Sequence, residues 1–307
     1  GSAAEGWEYL WNSWPQGRIK GPYWVSGGYD GSGYALDFDA SARGGKGDYV
    51  EIPDAESLNP DKEITVQAWI RTESVTDYAR IGDKNSYFLI TRGEKETDHV
   101  IQFRVRVEQR GGSIRNRTLE SESTIELNKW THVAASWDGQ QQKIYINGKL
   151  DAAKKASGRN RIEKTTRPLT IGNGRSGLDR GFDGLIDEVR INDETFSIDP
   201  RGKGRPVGGD TVGLWHFNAG EGTRVYDSSM HDNDGTLRGG FKGADPSLRK
   251  AGRALVGMPA AYRPLQSTAD RWATQAATQA NGPVLTSRGG ITGSGEKLAR
   301  TPASCAA

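Results

Sequence analysis

The sequence predicts an all-β chain, an antiparallel β-sandwich followed by an irregular Gly/Ala-rich C-terminal tail. Three observations carry this. Apolar residues alternate with polar ones in short runs, the pattern of strands buried on one face. Asp-Gly and Asn-Gly pairs stand between runs, where a hairpin needs residues that take positive φ cheaply. From about residue 34 to 197 an apolar helical period is almost absent.

The runs follow in order. Tyr34–Phe38, Tyr49–Ile52 and Ile64–Ile70 alternate as half-buried strands should. In Val100–Val107, Ile101, Phe103, Val105 and Val107 share one face. Trp130–Trp137 and Lys143–Ile146 are separated by Asp138-Gly139, and Asn147-Gly148 closes the next turn. Leu169–Ile171 and Leu185–Ile191 complete the series. Trp69, Trp130 and Trp137 fall within these strands and are expected in the core. Residues 198–211 are Gly/Pro/basic and read as a linker. A fresh strand starts at Val212, and a polar loop follows it within 212–256. After Pro259 the chain has too few large apolar groups to offset the entropy of ordering it, so 257–307 is expected to be a poorly ordered tail.

Composition excludes several function classes. No apolar stretch approaches the roughly 18 to 20 residues of a membrane helix, so membrane insertion is not expected. The net charge is +2. Its basic excess is scattered through the last hundred residues, which argues against a nucleic-acid partner. The single cysteine, Cys305, excludes an intramolecular disulfide and a cysteine-based zinc site. No secretory leader is visible, and Gly1-Ser2 reads as a cloning remnant; neither decides for or against secretion.

Four stretches together resemble a known family: Gly33–Phe38; Ile64–Ile70; Trp130-Thr-His-Val-Ala with Asp138-Gly139 and Ile144-Tyr-Ile-Asn-Gly148; and Gly184-Leu-Ile-Asp-Glu-Val-Arg-Ile191. Their order over residues 33–197 is similar to a laminin-G-like jelly roll of the concanavalin-A-like lectin/glucanase superfamily. The resemblance implies two curved antiparallel sheets and an extracellular or cell-surface protein. It also implies a non-catalytic module that binds a glycan or glycosylated surface; the alternative is a structural or adhesive module that spaces other domains or mediates protein-protein contacts. Relatives usually begin with a strand of the Leu-Trp-His-Phe type and an acidic loop. Here that element appears late, as Gly213–Asn218 and Tyr226–Leu237, and the Trp-rich segment 1–32 lacks it. Residues 212–256 therefore either complete the jelly roll by folding back, covering an exposed sheet edge, or open a truncated second repeat.

Candidate chemistry is of three kinds. The run Asp227–Gly235 offers many hard oxygen donors within one loop, as calcium requires, though the same residues are the ordinary material of turns. The resemblance maps a structural Ca2+ site onto Asp187, Asp227, Asn233 and Gly235. A saccharide needs aromatic platforms and planar polar groups. Trp7, Trp11 and Trp14 share a helical spacing, and the loop residues Asn85, Asn173 and Arg175, beside Asp83 and Lys84, are candidates for a rim. Catalysis is not expected. A retaining glycosidase needs two carboxylates about 5 Å apart on one face, whereas Asp187 and Glu188 are adjacent and on a regular strand face opposite ways. Glu120 and Glu122 share a face but lack the remaining pattern. His99, His132, His216 and His231 show no metal-ligand spacing, and His132 and His216 read as structural.

Overall fold

Strand formation follows the alternation of the sequence, and the turn chemistry sits where hairpins form. The structure is a computed structural model that describes residues 22–40, 47–157, 160–174, 180–199 and 206–239. Trp7, Trp11, Trp14, Arg175, Cys305 and the tail 257–307 lie outside the described residues. Every described residue belongs to one compact unit.

The chain opens with β1 (Tyr23–Ser26), β2 (Tyr34–Phe38) and β3 (Tyr49–Ile52), then β4 (Ile64–Thr72). Next come β5 (Ala79–Asp83), β6 (Tyr87–Arg92), β7 (Val100–Glu108) and β8 (Ile114–Thr124). A meander of β9 (Thr131–Trp137), β10 (Gln141–Ile146) and β11 (Lys149–Lys155) follows. Its second turn has positive φ at both Asn147 (51°) and Gly148 (77°), the backbone that an Asn-Gly hairpin pair favours. Then come β12 (Arg161–Ile162), β13 (Leu169–Ile171) and β14 (Gly184–Asn192). The last three are β15 (Thr211–Trp215), β16 (Arg224–Val225) and β17 (Gly235–Arg238).

These strands make two antiparallel sheets. The first runs β1-β2-β14-β4-β9-β10-β11, with β15 also on β14; the second runs β12-β7-β6-β5-β13-β3-β17-β16, with β8 on β7. Between them lies a core that includes Ile64, Val66, Ile70, Val133, Trp137, Phe103 and Val105. Residues 211–238 contribute to both sheets: Trp215 pairs with Val189 on β14, and Leu237 pairs with Val50 on β3. Trp215 is fully buried, and its indole donates to the carbonyl of Asn233 at 2.9 Å. Two expectations are corrected. Trp137 is core, but Trp69 lies on the opposite face of β4 from Ile64, Val66, Ala68 and Ile70. Trp130 precedes β9 and is partly exposed. Among the described residues no helix is long and apolar enough to cross a membrane.

Candidate functional site

The site arises from a seam in the first sheet. Along one side β14 pairs continuously with β4, apart from a bulge. Along the other side it pairs first with β2, through Gly184–Ile186, and then with β15, through Val189–Asn192. Between those two partners lie Asp187 and Glu188. The register breaks there, and Glu188 takes a left-handed φ of 51°, unusual for a non-glycine residue. The extra residue restores alternation, since Ile186, Val189 and Ile191 all reach the core. It also brings Asp187 and Glu188 to line one cleft, correcting the expectation that neighbours on this strand face opposite ways. Strained backbone of this kind is characteristic of functional sites.

The turn between β1 and β2 walls the cleft. Tyr29 N–H donates to Asp187 Oδ2 at 2.9 Å, and Glu188 N–H donates to Asp187 Oδ1 at 2.8 Å. A side chain at Gly28 would sit 2.5 Å from Asp187 Oδ2, so glycine is what permits this approach. Across the seam, Asn218 Oδ1 accepts from Tyr34 N–H at 2.9 Å.

The cleft has a volume of about 320 Å³, within the range of small-ligand sites, which starts at roughly 300 Å³. Its floor is the solvent-side face of β4 and β9. Gln67, Trp69 and His132 line it, opposite in the pleat to the core residues of the same strands. Tyr29 stacks on Trp69, with centroids 4.4 Å apart and planes 18° apart, and His132 meets Trp69 edge-on at 5.4 Å. His132 Nε2 lies 3.2 Å from Gln67 Oε1. Gln67 Nε2, Trp69 Nε1 and His132 Nδ1 are all buried and have no hydrogen-bond partner among the described residues. Buried polar atoms are nearly always satisfied, so three on one floor without a partner among the described residues single this floor out.

Electrostatics divide floor from wall. Burial depresses the His132 pKa to about 4, so the imidazole is neutral at pH 7. Burial likewise pushes the Asp187 carboxyl up to about 7, overriding its two backbone N–H bonds. His216 Nδ1 lies 2.8 Å from both oxygens of Glu188, and this hydrogen bond raises the histidine's pKa. Arg190 and Leu214 close the far side.

The expected calcium ligands are placed differently. Asp227 Oδ1 accepts from Leu214 N–H (2.8 Å) and Ser229 N–H (2.9 Å). Its Oδ2 accepts from Ser229 Oγ–H (2.6 Å) and Asn233 N–H (2.9 Å). A carboxylate has about four lone-pair sites, and these four donors take them all. Asn233 ties its side-chain amide to Val212 O at 2.7 Å, and Gly235 pairs with Val225 inside the sheet. Asp187 is bonded to other residues, in the cleft. The loop therefore uses its oxygens to close itself, and as arranged it does not fit a calcium ion. Among the described residues no group of three or more His, Cys, Asp or Glu could hold a metal.

The expected rim residues lie away from the cleft. Asn173 is fully buried, and its Oδ1 accepts the N–H groups of Gly174 and Arg180, so it organises a loop. Asn85 sits in the β5–β6 turn with φ 72°. Lys84 is sealed from solvent and paired with Asp54. Sequence reasoning missed Gln67, Trp69, His132 and His216 as cleft residues. The signal for the first three was strand parity: Gln67 and Trp69 alternate with Val66, Ala68 and Ile70, and His132 with Thr131 and Val133.

This fold agrees with what comparison finds. Residues 43–199 match the Laminin_G_3 family, and the chain belongs to the concanavalin A-like lectin/glucanases superfamily. No curated protein matches the chain. A candidate carbohydrate binding protein from Bacteroides ovatus shares the fold with a TM-score of 0.50 at 17% identity. The match covers 67% of this chain and spans 58% of that protein's length. Domain 4 of AbnA, a GH43 extracellular arabinanase from Geobacillus stearothermophilus solved with arabinotriose, aligns at TM-score 0.41 and 20% identity, covering 59% of this chain and 79% of the domain. A CBM40 of Ruminococcus gnavus IT-sialidase, solved with α2,3-sialyllactose, aligns at TM-score 0.38 and 16% identity, covering 58% and 92%.

Proposed function

We propose that this protein is a carbohydrate-binding module that takes a saccharide in the cleft at the β2–β15 seam, without cleaving it. The observation that carries the reading is the floor: an indole stacked on a phenol ring, beside buried amide, indole and imidazole nitrogens that lack partners among the described residues. A saccharide supplies both complements, apolar C–H surface for the rings and hydroxyls for the nitrogens. The wall adds acceptors in Asp187 and Glu188 and a cation in Arg190. The Bacteroides ovatus protein, sharing this fold, lends the reading a carbohydrate-binding precedent.

Binding rather than hydrolysis is supported by how the carboxylates are engaged. Both Glu188 oxygens face His216 at 2.8 Å, and both Asp187 oxygens receive backbone N–H groups. Neither is left as an uncommitted nucleophile. The role suits an extracellular or cell-surface setting, where polysaccharides are encountered. A glycan array probed with the full chain tests the reading, followed by incubation of each hit with the protein and chromatography of the products. Selective binding with no new reducing ends is expected. A silent array, or release of shorter saccharides, would overturn it.

A further inference from the structure

The opposite face of the sandwich holds a second concentration of chemistry. On the solvent side of the second sheet, Phe88 of β6 pairs with Arg104 of β7, and Arg80 of β5 pairs with Ile90. The guanidinium groups of Arg80 and Arg104 lie 4.5 and 4.8 Å from the Phe88 ring centroid. Beside them, Arg92 and Arg180 lie 4.3 and 5.0 Å from the Tyr78 centroid. Four cations are thus stacked on two rings, an arrangement that holds each guanidinium plane in a fixed orientation.

Their neutralisation is uneven. Arg80 is bonded to Asp83 at 2.9 Å, and Arg92 to Asp77 and Glu120 at 3.2 and 3.0 Å. Arg104 makes no ion pair among the described residues, and its buried Nε has no hydrogen-bond partner. Burial, with the like charges of Arg180 and Arg92, holds its pKa below the ordinary guanidinium value. A half-buried cation beside other cations is costly unless an anion meets it.

We propose that this face is a second ligand site, centred on Arg104, for a carboxylate or sulfate group carried by an acidic saccharide. A guanidinium fork meets either oxyanion bidentately. The same face disfavours a polynucleotide. Each strand of a duplex presents a phosphate about every 3.4 Å of helix axis, whereas here, among the described residues, one open cation, Arg104, is fenced by Asp77, Asp83 and Glu120. Each ring already carries two guanidinium groups, so neither is free to stack a base. An acidic saccharide sets each carboxylate or sulfate among hydroxyl groups, so one oxyanion can meet Arg104 while hydroxyls face the neighbouring carboxylates. The site is independent of the cleft, which lies on the other sheet.

The test is calorimetry at low salt on the full chain, with an oligogalacturonate and a sulfated oligosaccharide as separate probes. Oligothymidylate and polyglutamate serve as competitors. Arg104→Gln and Arg104→Met are compared with the parent protein and with Trp69→Ala, and melting temperatures confirm folding. At least one acidic saccharide is expected to bind, weakening as salt rises, and the bound probe identifies the anion. Both Arg104 variants should lose at least about tenfold in affinity with melting temperatures unchanged or raised. Trp69→Ala should keep this binding. The proposal fails if neither saccharide binds, if the Arg104 variants bind like the parent, or if either competitor binds more tightly than the saccharides.

Discussion

His132 makes the stability of this fold sensitive to acid, and the size of the effect can be worked from its surroundings. The ring is 1% exposed, edge-on to Trp69, and its Nδ1 has no partner among the described residues. Burial lowers its pKa from 6.5 to about 4. Between those values the unfolded chain holds a proton that the folded chain refuses, so folding stability falls as pH drops from about 6.5 to about 4. Stability is fully present above the unfolded value and lost by the time pH passes below the folded one. A difference of about 2.5 units at 1.36 kcal/mol each gives about 3 kcal/mol. His132→Gln removes the titration and keeps a polar side chain against Gln67. Chemical denaturation of both proteins at intervals from pH 7.5 to 4 measures it. His99, buried and also pushed down, contributes equally to both and cancels in the difference. The gap between parent and variant should change by about 3 kcal/mol across that range, with the parent losing more. A constant gap would refute the argument that this ring is kept neutral by burial.

Three further outcomes follow from named contacts. Asp227→Ala strands four donors of its loop and should cost about 3 kcal/mol in equilibrium unfolding; a loss under 0.5 would mean the loop holds without it. Because those donors occupy the Asp227 oxygens, adding calcium to the chelated protein should leave its melting temperature unchanged. A rise abolished by both Asp187→Ala and Asp227→Ala would show that the loop rearranges into a calcium site. Asp54→Ala leaves the sealed Lys84 ammonium with the carbonyl of Arg167 as its remaining bond and should cost about 3 kcal/mol at pH 7, whereas Asp54→Ala with Lys84→Met should recover part of that loss.

The fold was legible because it rests on short-range patterns. Ile64–Ile70 and Val100–Val107 alternate cleanly, and Asn147-Gly148 has one cheap backbone solution. Strand β8 escaped notice because its residues are mostly exposed on both faces, so Arg115–Arg117 and Glu120–Thr124 show no apolar period. Strand β6 escaped for the opposite reason: Tyr87–Thr91 is buried on both faces and reads as a continuous run. The cleft was half legible. Parity alone puts Trp69 with Gln67, but the habit of assigning tryptophan to cores hides it. The bulge at Glu188 could not be read, because it depends on β2 and β15 meeting end to end on β14, a contact between residues far apart in sequence. The acidic loop was ambiguous for a related reason. Its composition suits a cation and a self-closing turn equally, and the hydrogen bonds that Leu214 N–H and Asn233 N–H make to Asp227 join residues that the sequence does not show to be neighbours.

The claim that the β2–β15 seam is a saccharide site meets its most direct test in one titration. Isothermal calorimetry with the strongest array ligand compares the parent with Trp69→Ala, after matched circular dichroism shows both folded. Loss of the ring and its Nε1 donor should weaken binding at least about tenfold. Equal affinity in the two proteins would place the saccharide elsewhere and contradict the account.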